Sequence, residues 1–343
     1  MVNYKNSLLL HRLAWLAVLL AFFVVMLGAY TRLVDAGLGC PDWPACYGHI
    51  TVPESHTEIA KAEQAYPDRP VEAAKAWTEM VHRYFASSLG FLILLMSGIA
   101  LWRKHRAIAA PVKLTLSLLA VVIFQGLLGM WTVTLLLQPT IVMGHLLGGL
   151  TTLSLLWLLV LSTGTYFSHT VPTPHFRIAT LIGLILLAFQ IFLGGWTSAN
   201  YAGIACPDFP YCQGQLWPAM NWHQTLNLWP QVGPDYQGGL LPMSVRMSIN
   251  TLHRALGMIV GVYFLILSVG IMLRSKQNAV RKVAIWVFFI VLSQVIIGIL
   301  NVLWYLPLHL AVMHNGVAAL LLVSVITLLY SLYAPHKGSK ACE

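Results

Sequence analysis

The sequence predicts an all-α polytopic membrane protein: eight transmembrane helices arranged as two tandem, parallel-repeat four-helix bundles. Composition, the length of the apolar runs and an internal repeat each point to it. Of 343 residues, 58% are hydrophobic and 9% charged, where a soluble domain has about 45–50% apolar and about 25% charged residues. Mean hydropathy is +0.74, which excludes a soluble globular enzyme. The formal charge of +9 is not a nucleic-acid signature, because basic residues in a membrane chain first sort by side of the bilayer.

The spans read in order as about 12 to 32, 80 to 102, 113 to 134, 141 to 164, 177 to 198, 249 to 273, 281 to 302 and 309 to 333, each near the 20 or so residues that cross a hydrocarbon core. All must be helical, since backbone exposed to lipid satisfies its hydrogen bonds within its own segment. The first is too long for a cleavable signal peptide, lacks an Ala-x-Ala-like exit and is followed by seven more, so it is expected to stay as an anchor. With the N-terminus inside, Lys5, Arg12, Arg103, Lys104, Arg106, Lys113, Arg177, Arg274, Lys276, Arg281, Lys282, Lys337 and Lys340 fall on the inner side, 13 of 20 basic residues. Ten of the 11 acids, all but Glu343, fall outside or at an outer helix end. Both distributions predict cytoplasmic termini.

Two outer loops are long, about 33 to 78 and 199 to 248, and their starts realign: LGAYTRLVDAGLGCPDWPACYG at 27 to 48 with LGGWTSANYAGIACPDFPYCQG at 193 to 214, an offset of 166 residues. The match continues through His-Arg at 82 and 253, Gln125 and Gln294, and His145 and His314, at offsets of 171, 169 and 169. Residues 1–170 and 171–343 are therefore expected to be two copies of one unit. An even number of spans gives both copies the same orientation.

Thirteen histidines are present, and four occupy matching positions within spans: His82, His145, His253 and His314. Each is expected three to five residues into a span that runs inward, so all four share one depth near the outer face. A lone intramembrane histidine is ordinarily a core residue bonded to a neighbouring helix. Two equivalent pairs on parallel helices instead suit bis-axial ligation of a flat macrocycle, one haem in each half. Zinc or copper is disfavoured, because such sites take further ligands and no cysteine or carboxylate repeats at this depth. Arg83 and Arg254 follow the first histidine of each pair and suit haem propionates, or equally an interfacial arginine reaching headgroups. Gly144, Gly148 and Gly149 near His145 permit close helix packing, and Gln125 and Gln294 are expected to bond between helices.

The repeat breaks at Glu79, one turn before His82, where the other copy has Asn250. A carboxyl group at that depth is either an acid favoured at a helix start or a functional group. The asymmetry predicts chemistry at the first histidine pair and a permanent haem at the second. Cys40 and Cys46 lie in the first outer loop, and Cys206 and Cys212 repeat their spacing in the second. An intraloop disulfide in each fits the oxidising side, with thiol redox chemistry toward the first haem as the alternative, while Cys342 is expected to stay reduced.

Together these residues resemble the haem A synthase family over essentially the whole chain. Glu79-Met80-Val81-His82-Arg83 looks like its E-x-x-H-R motif, and His145, His253-Arg254 and His314 fall at its other haem-ligand positions. The resemblance implies that haem O is the substrate in the N-terminal half, that its C8 methyl is oxidised to the formyl of haem A, and that Glu79 takes part. It also implies a haem b relaying electrons in the C-terminal half, and haem-copper terminal oxidases as the destination of the product. A membrane electron acceptor, a haem O synthase and oxidase assembly factors are the expected partners, in a bacterial cytoplasmic membrane since no mitochondrial presequence precedes the first span. The rivals are a di-haem b-type electron-transfer cytochrome, which would place haems near both faces, and a transporter, which would show helices broken at mid-membrane.

Overall fold

The computed structural model describes residues 8–164, 166–167, 174–231 and 233–333. Lys5, Lys337, Lys340, Cys342 and Glu343 lie outside the described residues. Among the described residues the protein is all helical: α1 (Leu8–Leu33), α2 (His56–Ala65), α3 (Ala73–His105), α4 (Val112–Thr134), α5 (Pro139–Thr163), α6 (Pro174–Ala199), α7 (Trp222–Thr225), α8 (Met243–Arg274), α9 (Asn278–Leu303) and α10 (Leu308–Tyr333). All but α2 and α7 are long and apolar enough to cross a membrane, so the eight expected spans are present.

Two spans start earlier than hydropathy predicts. At 1.5 Å per residue the 33 residues of α3 extend about 50 Å, well beyond a hydrocarbon core of about 30 Å. The surplus lies on the loop side, where Gly39 rests directly on the helix; a Cβ there would fall 2.6 Å from the backbone of Lys75. Protein contact rather than lipid contact keeps these turns helical, which a hydropathy window does not register. His82 is consequently the tenth residue of α3 and His253 the eleventh of α8, whereas His145 and His314 are each the seventh of α5 and α10. The expected three to five residues is corrected in all four cases.

The short α2 was not foreseen. Its start is a capping box, with Ser55 accepting from the Glu58 amide while the Glu58 carboxylate accepts from the Ser55 amide, which satisfies two donors no helix bond can reach.

Helices α1, α3, α4 and α5 pack as a closed ring of neighbours, and so do α6, α8, α9 and α10; α1 with α10, α5 with α6 and α5 with α10 join the two. In each ring one pair of histidine-bearing helices, α3 with α5 or α8 with α10, lies on the diagonal. Helices α5 and α10 are the most buried spans, because each touches two helices of the other ring, where α1 and α6 touch one. Their side chains Leu153, Leu156 and Leu328 meet Ile93, Leu118, Phe264 and Ile271 in one continuous apolar core.

Candidate functional site

Diagonal placement turns His82 and His145 toward each other across the first ring. Their imidazole centroids are 6.4 Å apart with planes at 76°. Each ring rests on bare helix backbone: a Cβ at Gly28 of α1 would lie 3.0 Å from His82 Cε1, and one at Gly129 of α4 would lie 3.4 Å from His145 Cε1. The same contacts recur in the second ring, 3.0 Å from Gly194 to His253 and 3.0 Å from Gly298 to His314. These four glycines are functional candidates that the sequence reading passed over. Their signal was there, since Gly28 and Gly194 fall inside the realigned stretches and Gly129 and Gly298 follow Gln125 and Gln294 by four residues.

Two metal–nitrogen bonds of about 2 Å, each continued by an imidazole radius of about 1 Å, place ring centroids roughly 6 Å apart. The His82/His145 separation therefore fits one metal held between them. Among the described residues Nδ1 of His82 is buried without a hydrogen-bond partner. Among the described residues no three His, Cys, Asp or Glu side chains converge, so the donor set suits a metal that brings its own equatorial ligands, as a haem does.

Glu79 is 5% exposed, and its partners come from the loop between α1 and α3 and from its own helix. Cys40 N–H donates to Oε2 at 2.9 Å, and Arg83 donates to Oε1 at 2.5 Å. At the matching position Asn250 reverses the polarity, with Nδ2 donating to the carbonyls of Ala202 at 2.7 Å and Gly203 at 3.0 Å. A carboxylate can only accept, so the first loop turns an amide toward α3 where the second turns carbonyls toward α8. Arg83 Nη1 also donates to the carbonyl of Ala45 at 2.6 Å. Arg254 donates to Asp208 at 2.8 Å, Tyr211 at 3.1 Å and Cys206, all carbonyls. Both guanidinium groups thus hold the cysteine loops onto their helices.

The cysteines form the expected disulfides, Cys40–Cys46 and Cys206–Cys212. Inside each loop an aspartate closes the turn: Asp42 accepts from the amides of Tyr47 and Gly48, and Asp208 from those of Gln213 and Gly214. The Gly214 amide, with help from Gln213, holds the Asp208 carboxyl below its usual range.

The second pair lines a cavity of 770 Å³ that also takes in Arg254, Gln190, Gln294, Asn250 and Asn301, a volume within the usual range for small-ligand sites. Gln190 Nε2 lies 3.0 Å from His253 Nδ1 and donates to the His253 carbonyl at 3.0 Å. Gln294 Nε2 lies 3.3 Å from His314 Nε2, so this glutamine bonds between helices as expected, α9 to α10, with a histidine as its partner. Its counterpart Gln125 packs instead against Gly148, and Val317 takes the place of that glycine in the second ring.

The long loop between α6 and α8 also reaches over the first ring. Gln138 donates to the Pro230 carbonyl at 3.1 Å, Thr140 donates to the Leu228 carbonyl, and Arg69 pairs with Asp235 at 2.9 Å. Tyr236, fully buried, donates its hydroxyl to Asn200 Oδ1 at 2.9 Å while its amide donates to the Leu136 carbonyl at 3.1 Å.

Eight apolar helices in two joined rings, each with two of the four matched histidines on diagonal helices beside a disulfide-closed loop, define a multi-pass membrane protein with paired imidazoles. A family model described as COX15-CtaA, cytochrome oxidase assembly protein, matches residues 11–326, and the chain belongs to that family. It is 40% identical over 333 residues to a protein of Shewanella oneidensis named heme A synthase, covering 96% of this chain and 98% of that one. Proteins of the same name from Mesorhizobium japonicum and Allorhizobium ampelinum are each 26% identical, over 93% and 94% of this chain and 89% and 90% of theirs.

Proposed function

We propose that the chain is a haem A synthase, an oxidoreductase that converts the C8 methyl of haem O to the formyl of haem A for haem-copper terminal oxidases. The observation that carries this reading is the His82/His145 pair, 6.4 Å apart across the ring, with a buried carboxylate one helical turn away. In this reading the halves 1–170 and 171–343 are copies of one four-helix unit. Haem O binds between His82 and His145, and a permanent haem b sits between His253 and His314. The protein lies in a bacterial cytoplasmic membrane with both termini in the cytoplasm, meeting a membrane electron acceptor, with haem O synthase and oxidase assembly factors as partners.

Bound haem iron supplies the electron-transfer chemistry. The chain's own residues do the rest. Gly28 and Gly129 let the imidazoles lie flat on neighbouring helices, which presets the ligand geometry. The surrounding apolar core excludes water. Taking a methyl to the aldehyde level requires two successive two-electron oxidations, through an alcohol and a hydrated aldehyde that loses water, and each releases protons. Glu79 accepts a proton or balances developing positive charge. Its hold on Cys40 N–H and Arg83 keeps the carboxylate aimed from a fixed point.

Extracting and separating the haems of purified protein tests the reading. Wild type should yield farnesylated haem beside protohaem, and Glu79→Gln should keep bound haem while haem A formation drops about a hundredfold. Protohaem alone would return the di-haem cytochrome, and undiminished conversion by Glu79→Gln would remove the carboxylate from the reaction.

A further inference from the structure

The two histidine pairs sit in matching frames, yet one neighbour differs. His82 and His253 rest on Gly28 and Gly194 with the same three contacts, 3.0, 3.6 and 3.7 Å to Cε1, Nδ1 and Nε2, so the two helix pairs are in the same register. In that register Gln190 of α6 corresponds to Val24 of α1. Gln190 places its amide at 3.0 Å from His253 Nδ1; a valine has no polar group to offer His82, whose Nδ1 is buried without a partner among the described residues.

A second difference accompanies the first. A glycine of α8 lies beside the Gln190 amide: a Cβ at Gly257 would fall 2.9 Å from Nε2 and would push the amide from its present position. At the position matching Gly257, four residues after His82, α3 carries Ala86. The hydrogen-bonding side chain and the space that seats it therefore occur together in the second ring and are both missing from the first.

Chemistry gives this pair of differences a direction. An imidazole that binds a metal through Nε2 carries its proton on Nδ1, and the group that receives that proton fixes the tautomer, the ring orientation and the basicity of the ligand. The Gln190 amide already occupies the Nδ1 edge of His253. Among the described residues its Oε1 is buried with no partner; a turn of the amide that brings this oxygen to an Nδ1–H gives up the Nε2 bond to the His253 carbonyl in exchange for a bond to the ligand ring. Nothing comparable holds the His82 ring.

We propose that Gln190, seated by Gly257, is a positioning residue that makes the His253 ligand permanent, and that Val24 with Ala86 leaves His82 free to release its haem. The inference rests on the function proposed above and adds what separates a resident haem from an exchanging one: a substrate site must let its haem go, and a relay site must not.

The test reads haem retention and potential rather than turnover. In full-length protein carrying His82→Ala, so that the second site alone is filled, transfer of haem to an excess of apo-globin is followed by absorbance. Gln190→Val should speed that transfer about tenfold or more, the usual effect of losing a ligand's outer partner, and should shift the haem midpoint potential upward as the ligand becomes less basic. Gln190→Glu, which restores an acceptor, should restore slow transfer and push the potential back down. In the reciprocal experiment, on a His253→Ala chain filled at the first site, Val24→Gln with Ala86→Gly should slow haem loss about tenfold. Should Gln190→Val fail to fold, this gain of retention decides alone. Equal transfer rates and potentials in wild type and Gln190→Val, with no slowing in the reciprocal variant, would overturn the inference and leave the proposed function standing. A wild-type chain that binds no haem would overturn both.

Discussion

The two helix rings share a frame and differ in what surrounds their imidazoles. In both, diagonal helices carry the histidines, glycines of flanking helices carry the rings, and a disulfide-closed loop is held down by an arginine. Around His82 the added group is an acceptor, Glu79, held by a loop amide. Around His253 the matching residue donates to loop carbonyls, and a glutamine amide sits at the ring. The comparison teaches that the shared scaffold sets the histidines, their glycines and the loop in place, whereas one or two neighbours set the polarity around each imidazole.

Removing the ligands is the strongest way to break that comparison. His82→Ala or His145→Ala should cut haem A formation at least a hundredfold, roughly the upper end for disturbing a metal's immediate surroundings, and leave one haem per chain. His253→Ala should instead remove the other haem while the substrate pigment still binds. Haem stoichiometry from the purified variants checks both, and loss of both haems from either variant would dissolve the distinction between the rings.

The disulfides sharpen it with a smaller effect. Cys40 N–H is a direct donor to Glu79, so Cys40→Ser with Cys46→Ser should lower haem A formation about fivefold, the consequence of weakening one hydrogen bond of about 1 kcal/mol. Cys206→Ser with Cys212→Ser disturbs the Arg254 contacts and those of Cys206 Sγ with Met247 and Thr251, none of which involves Glu79, and should leave turnover within about twofold. Equal losses from the two pairs would show that the loops serve stability alone.

Tyr236, which ties the second loop to the first ring, gives the smallest effect. Burial pushes its hydroxyl from an ordinary 10.0 up to about 12. Because the folded value is raised, this stabilisation is complete below pH 10 and is lost as pH climbs through about 12, where the buried phenol must ionise. Tyr236→Phe should cost about 1 kcal/mol at neutral pH through the lost bond to Asn200 and flatten the decline in melting temperature between pH 10 and 12.

Much of this was legible in the chain. Spans of lipid length, the repeated CPDxPxC loops, the four histidines and the Glu79/Asn250 difference all depend on residue type and spacing, and the disulfides followed from cysteines a few residues apart. The early starts of α3 and α8 were not legible, because those turns are stabilised by loop backbone such as Gly39, distant in sequence and silent in hydropathy. Nor was Gln190, since nothing in a run of apolar residues announces which helix face meets a histidine 63 residues later.

Composition and spacing alone gave eight helices of membrane-crossing length and four of the thirteen histidines at matching positions, since the cost of burying polar backbone in lipid admits one answer per apolar segment. Which helices stand on the diagonal, which glycine supports which imidazole, and whether a neighbouring amide or carboxylate reaches the ring were decided by tertiary packing. Those relations depend on helix rotation and neighbour choice, set by side-chain fit among surfaces of nearly equal apolarity, and local sequence does not encode them.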